Sequence, residues 1–306
     1  MNQLRNLFAH RRLRIGIDGV AICGVVVFAA YTLINAHYET DIGDAESAVN
    51  ASIPAQKRNY ITKELVRTLN RDGVVVIKDV LLESELASAR TAALDVFSQG
   101  RLNFAGGNSI SVRQDKVCFV RGNDGTEGGA DEEARAHTPI GVGLQHCISL
   151  LRGTTQRLQE LGYNRSTNHK VPMQCQLAHY AGNGNSSYTA HRDAASDTNF
   201  YEIGLLAWLR AKDYRRRSIT AILYLNEPDW DASPDVDGGS LKCYIQADSD
   251  DVTGSTATRV DKVCPTGGTL VIFDSRYLLH EVEPSHRDRL ALTLWVVGDR
   301  TEAVGI

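Results

Sequence analysis

From residue 171 onward, short apolar-rich runs are separated by polar clusters of Gly, Asp and Pro. The runs are QCQLAHY, SITAILYLN, SLKCYIQ, GTLVIFD, LHEVEP and RLALTLWVV. Runs of four to nine residues bounded in this way predict strands of a β-sandwich or jelly roll. Upstream, the spacing of Leu65, Leu69, Val74, Val76 and the later Leu, Ala and Val positions predicts helix, strand, helix over 61–97. The NRDG turn ends the first helix, and Glu83 or Ser84 opens the last. Residues 138–161 read as a helix, and 199–216 as a helical insert among the strands. From 100 to 137 the chain is rich in Gly, Asn and Asp, and RGNDGTEGGADEE in its middle reads as a loop. The fold class expected is α+β, mainly β: a jelly-roll core with N-terminal helices packed on it.

Residues 15–34 show no periodicity, because they are apolar throughout except for Asp18 and Thr32. About 20 such residues match a bilayer core. Arg5, Arg11, Arg12 and Arg14 precede the run, while Glu39, Asp41, Asp44 and Glu46 follow it, with no basic residue before Lys57. This bias keeps the short N-terminus in the cytosol and sends the rest across the membrane. The expected organisation is a cytosolic tail 1–14, a transmembrane signal anchor 15–36, a stalk 37–58, a helical support region 59–170 and the β core 171–300. That is a single-pass type II membrane protein of the endoplasmic reticulum or Golgi with a luminal domain. A cleaved signal peptide or an organelle transit peptide are the alternatives.

Composition narrows the field further. Hydrophobic residues make up 42% of the 306, enough for a sizeable core. A net charge of −4, with charged segments short and mixed in sign, excludes a general polyanion-binding surface and argues against nucleic acid as a partner. Six cysteines without a C-x-x-C speak against a zinc site and leave room for one or two disulfides in an oxidising lumen. Triplets at Asn50, Asn164 and Asn185 fit the glycosylation pattern.

The chemistry concentrates in YTAHRDAASDTNF, residues 188–200. H-R-D is also a kinase catalytic-loop signature, but a kinase needs Asn where Thr198 stands, together with a Gly-rich loop, a paired Lys and D-F-G, none of which is present. On an extended chain, His191 and Asp193 share a face and Arg192 points away, so an imidazole nitrogen and a carboxylate oxygen can bind one ion side by side. The third ligand candidate is His280 of LHEVEP, since the other histidines lie in polar turns, flank the apolar run or lack a paired carboxylate pattern. Two histidines and one carboxylate on one side of an ion make the facial triad of Fe(II) oxygenases. A surface histidine in a loop is the competing reading of H-x-D, of which the chain holds a second copy at residues 286–288.

The last strand adds a charge. In RLALTLWVV one face carries Leu290, Leu292, Leu294 and Val296, and the other Arg289, Ala291, Thr293 and Trp295. An arginine drawn into a barrel is costly unless paired. A bound dicarboxylate would pair it through a two-pronged contact; a salt bridge at a strand end would do so too. Tyr224, on one face of its strand with Thr220 and Ile222, either donates its hydroxyl to the same carboxylate or is a packed core tyrosine.

The set HYAGNGNSSYTAHRD, RRRSITAILYLNEPDWD, DGGSLKCYI, LVIFDSRYLLHEVEP and RDRLALTLW, with DGVVVIKDVL and SVRQDKVCFVRG before it, resembles the 2-oxoglutarate- and Fe(II)-dependent dioxygenases. More narrowly it is similar to the prolyl 4-hydroxylases of the hypoxia-sensing type, over residues 61–297. The resemblance implies a double-stranded β-helix, iron on His191, Asp193 and His280, and the far carboxylate of 2-oxoglutarate on Arg289 and Tyr224. It places Thr293 and Tyr180 in the same pocket. It implies O2 as cosubstrate, ascorbate as a helper, and hydroxylation of proline in a protein or peptide with release of succinate and CO2. An extra residue in the loop before His191, the long insert at 199–216 and the membrane anchor depart from the sensing enzymes. The anchored prolyl hydroxylases of the secretory pathway are nearer in topology, yet usually carry Lys where Arg289 stands. Two other functions stay open: the same oxygenase chemistry on another side chain or a small metabolite, and a non-catalytic jelly-roll binding module.

Overall fold

The computed structural model describes residues 60–104, 112–122, 140–194, 212–246 and 258–301. The tail, the apolar run and the stalk, residues 1–58, lie outside these, as does 199–211 of the insert. Among the described residues no helix is long and apolar enough to cross a membrane.

The chain enters through helix α1 (Lys63–Asp72). Thr62 caps it, its hydroxyl accepting from the Leu65 amide at 3.2 Å. Gly73 ends it with φ +74°, its amide donating to the Leu69 carbonyl at 3.0 Å. This is the turn expected from NRDG. A Cβ at Gly73 would stand 2.6 Å from the Tyr277 ring. Gly73→Ala is therefore expected to cost about 1–3 kcal/mol in a urea melt, combining left-handed strain with a displaced ring. Strand β1 (Val74–Ile77) follows, then α2 (Glu83–Ser98), with the Glu85 carboxylate accepting from the Leu82 amide at 2.8 Å. α2 packs on α3 (Val142–Glu160) through small residues. A Cβ on Gly143 would meet the Ser88 and Ala89 backbone at 2.4 Å, so the two helices approach more closely than larger side chains allow.

The remaining elements are mostly antiparallel strands: β2 (Asn103–Phe104), β3 (Lys116–Arg121), β4 (Ser166–Lys170), β5 (Gln174–Tyr180), β6 (Ser186–His191), β7 (Arg217–Tyr224), β8 (Leu241–Gln246), β9 (Thr258–Val263), β10 (Leu270–Asp274), β11 (Leu279–Ser285) and β12 (Arg289–Arg300), with the short α4 (Lys212–Arg216) before β7. Seven of them join β1 in one sheet of eight, in the order β1-β10-β7-β12-β5-β3-β2, with β4 also paired to β12. The other four form a second sheet, β6-β11-β8-β9. Two facing antiparallel sheets with helices on the outside of the larger one form the expected jelly-roll architecture.

Alternation decides which side each residue serves. Leu290, Leu292, Leu294 and Val296 of β12, with Ile219, Ala221 and Leu223 of β7, are buried in the cluster that holds Leu144, Leu151, Ala89 and Ala93 of the helices. The opposite face of the same strands puts Ile222, Tyr224 and Ala291 in the cluster between the sheets, with Val271, Phe273, Leu241 and Cys243.

The structure adds strands that the sequence reading left unassigned, and it settles the cysteines. β2 and β3 form a hairpin on β5. Flanking glycines and charges hide β3, although its centre, residues 117–120, is apolar. β4 and β9 were missed because STNHK and TRVDKV are polar edge or near-edge strands with little to bury. The disulfides left open by the cysteine count do not occur among the described residues, where Cys118, Cys147, Cys175, Cys243 and Cys264 form no disulfide bond.

Candidate active site

Between the sheets lies a cavity of about 280 Å³ whose lining includes His191, Asp193, His280, Arg289, Thr293 and Tyr180. Two strands and a turn deliver the three suspected metal ligands. His191 ends β6 and His280 begins β11, and the two are direct partners across the antiparallel pair, which puts both rings on one face. Asp193 sits in the turn after β6, anchored by its neighbour Ala194, whose amide donates to the Ser275 carbonyl at 3.0 Å. The ligand atoms of the three residues lie within 4.8 Å of one another. Among the described residues no other group of three His, Cys, Asp or Glu does so.

The hydrogen bonds determine which atoms are free. His191 Nδ1 lies 2.8 Å from the Thr189 carbonyl, and His280 Nδ1 3.2 Å from the Leu278 carbonyl. A carbonyl only accepts, so each Nδ1 carries the proton and each Nε2 keeps its lone pair. Those Nε2 atoms stand 3.5 and 3.9 Å from Asp193 Oδ1. The other carboxylate oxygen, Oδ2, is occupied by Thr220 Oγ1, donating at 2.8 Å, and Trp295 Nε1, donating at 3.0 Å. Two nitrogens and one oxygen are thus left converging on one point.

Electrostatics suits a cation there. Burial opposes charge on Asp193, but the adjacent His191 and His280 and the Arg217 guanidinium outweigh it and hold the carboxyl below its usual range. Burial pushes the His280 imidazole down to about 4, with His191 adding to that and Asp193 opposing it. At neutral pH the site therefore offers one carboxylate and a neutral His280 ring. Thr220→Val removes one of the two donors that fix Oδ2, and is expected to weaken Co(II) binding about tenfold in a spectroscopic titration.

At the far end, Arg289 is 2% exposed and lies over the Tyr180 ring (4.8 Å) and the Tyr224 ring (4.9 Å). Its Nε and the Tyr224 hydroxyl are buried without a hydrogen-bond partner. Among the described residues Arg289 has no carboxylate within salt-bridge distance, so the strand-end salt bridge considered from sequence is not what it makes. Room for it comes from the DGGS turn. Gly239 has φ +69°, and a Cβ there would stand 3.1 Å from Arg289 Cδ. A buried guanidinium with a free donor at the end of a cavity fits the carboxylate of a dicarboxylic acid. Tyr180 and Thr293 line the cavity as expected, whereas Tyr224 sits against Arg289 and is not part of the lining.

Sequence reasoning missed several lining residues: Arg113, Gln176, Tyr188, Tyr214 and Arg217. It had placed Trp295 on the inner face of β12, but had not seen that its indole holds Asp193. Arg113 leaves no signal in its own segment; it reaches the site through an antiparallel bridge to Tyr188.

Comparison with known proteins agrees with this geometry. Residues 175–297 match the family model of the 2OG-Fe(II) oxygenase superfamily. Among curated proteins, a hypoxia-inducible factor prolyl hydroxylase of Caenorhabditis elegans is 28% identical over 79% of this chain and 29% of its own length. Egl nine homolog 1 of Homo sapiens is 25% identical over 76% and 45%. The chain thus spans less than half of these two relatives. Among solved structures, a Trichoplax adhaerens prolyl hydroxylase in complex with a hypoxia-inducible factor peptide superposes with a TM-score of 0.55 at 23% identity, covering 79% of this chain and 91% of that one. A Pseudomonas putida prolyl-4-hydroxylase gives 0.53 at 22%, covering 77% and 97%. At these identities the structural likeness is one of fold.

Proposed function

We propose that this chain, whose residues 175–297 form a 2OG-Fe(II) oxygenase domain, is a 2-oxoglutarate- and Fe(II)-dependent dioxygenase that hydroxylates proline in a protein or peptide. The observation that carries the reading is the pairing, in one cavity, of three converging ligand atoms with a buried arginine that has no carboxylate partner among the described residues.

In this reading His191, Asp193 and His280 would hold the iron. Thr220 and Trp295 keep Asp193 from turning its second oxygen toward the ion. Arg289 receives the far carboxylate of 2-oxoglutarate, and the Tyr224 ring lies against its guanidinium. Iron and 2-oxoglutarate, when bound, supply the O2-dependent oxidation that releases succinate and CO2. The protein's share is orientation and exclusion of water, for which Ile222, Val282 and Ala291 form apolar wall.

The prolyl relatives support proline as the target. The test is incubation of the chain with Fe(II), 2-oxoglutarate, O2 and a broad panel of proline-containing peptides, read by succinate release and by mass spectrometry. Hydroxyproline is expected. Succinate without proline modification would move the assignment to another substrate, and neither product would leave a non-catalytic jelly-roll module. In the same reading ascorbate keeps the iron reduced, and residues 15–36 anchor the catalytic domain on the luminal side of the membrane. Protection of the C-terminus from protease in sealed microsomes tests that topology.

A further inference from the structure

The two histidines of the triad are not held alike. His280 is buried, on a strand paired on both sides, with its ring 4.7 Å from Phe273. His191 ends the edge strand β6, and its side chain is 15% exposed. Its backbone-bonded Nδ1 leaves the tilt of the ring to be set by whatever lies against its face. That group is Tyr188, stacked at 3.6 Å between centroids with the planes 19° apart.

Tyr188 is itself backed. The Arg113 guanidinium lies over its ring, with Cζ 4.5 Å from the centroid. Arg113 donates through Nε and a terminal nitrogen to both carboxylate oxygens of Asp115, at 2.7 and 2.6 Å, with Gln176 Oε1 at 3.4 Å. Asp115 is 0% exposed. The backbone fixes the same register: the Gln114 amide donates to the Ser187 carbonyl at 3.1 Å, and the Thr189 amide to the Val112 carbonyl at 3.0 Å. An ion pair sunk this deep adds little net stability. What it does achieve is a guanidinium plane that cannot swing, pressed on a ring that is in turn pressed on an imidazole.

We infer that Arg113 is a positioning residue for the metal centre, acting through Tyr188 to hold the imidazole plane of His191 so that Nε2 points where Asp193 Oδ1 and His280 Nε2 converge. This rests on the reading of His191 as a metal ligand. The tyrosine face also favours the loaded state, because an imidazole bonded to a cation carries partial positive charge toward a π face. Positioning groups behind ligands typically govern affinity by 10- to 100-fold.

The test uses the full chain, stripped of metal and titrated with Co(II) in the absence of O2, with absorption bands of the complex as readout. The variants are Tyr188→Phe, Tyr188→Leu and Arg113→Lys, with His280→Ala as control. Arg113→Lys keeps the charge opposite Asp115 and so preserves folding, but loses the flat plane. Tyr188→Leu and Arg113→Lys are expected to raise the Co(II) dissociation constant by about tenfold or more and to shift the bands, while Tyr188→Phe stays within about twofold of wild type. Circular dichroism checks that each variant is folded. If the wild-type chain binds Co(II), His280→Ala does not, and both Tyr188→Leu and Arg113→Lys match wild type in constant and bands, the positioning role is overturned and the metal reading survives. If the wild-type chain forms no complex, the metal reading falls and this inference with it.

Discussion

Replacing His280 with Ala is expected to abolish succinate release from 2-oxoglutarate. A bound metal contributes several kcal/mol to such a reaction, which corresponds to about 10³-fold or more in rate. His280 lies between β6 and β8 in the smaller sheet, so no neighbouring strand can move a substitute into its place. Its removal also leaves a hole beside Phe273, for which a stability cost of about 1–3 kcal/mol is expected. His191→Ala separates the two effects, since that ring stands at the cavity mouth and fills less of the core. Both variants should lose turnover, and only His280→Ala should lower Tm noticeably. Wild-type succinate release from either variant would remove the triad from the mechanism.

The second large effect is at Arg289, and its two parts differ in sign. In Arg289→Leu the affinity for 2-oxoglutarate should fall by about two orders of magnitude or more, since breaking a buried, hydrogen-bonded charge pair costs about 2–5 kcal/mol. The unliganded protein should not be destabilised in proportion. Its buried guanidinium has no acidic partner among the described residues, and burying such a charge is itself unfavourable. Contacts with the Tyr180 and Tyr224 rings return part of that cost, about 1 kcal/mol each. The expected result is a Tm within a few degrees of wild type without 2-oxoglutarate, and loss of the rise in Tm that the cosubstrate gives wild type by mass action. Arg289→Lys should fall between, because an ammonium cannot make the two-pronged contact. A 2-oxoglutarate affinity unchanged in Arg289→Leu would show that the carboxylate binds elsewhere.

Much of this site was legible because strands carry their geometry in their period. Arg289 opposite a leucine face is a statement about which side of a sheet a residue faces, and alternation answers that question locally. Asp193 joins His191 from the turn after β6, where the strand period no longer applies. Tyr224 was placed on the right face but not at the right depth, since period says nothing about how far along a strand a cavity reaches. The helices were legible from NRDG and the Leu spacing. β3 was not, because KVCFVR is bordered by glycines and charges and its pairing with β5 is a long-range fact. Arg113 stayed hidden for the same reason: it meets Tyr188, 75 positions along the chain, only once the backbone segments are bridged. The roles of Thr220 and Trp295 were equally out of reach, since a hydrogen bond to Asp193 depends on the register of three strands and a turn.

β12 serves two masters, with leucines packed on the helices and Arg289, Ala291, Thr293 and Trp295 facing the cavity. One consequence concerns how such a chain can change over time. A single-residue insertion or deletion within this strand would swap its faces, burying arginine and threonine among leucines while turning leucines toward the cofactor. No point substitution elsewhere repairs that. Length variation is therefore barred from the strand itself and confined to the connections around it. Divergence among proteins built on this plan is expected to concentrate in segments such as the connection between β6 and β7, where a change in length leaves the two faces of β12 in phase.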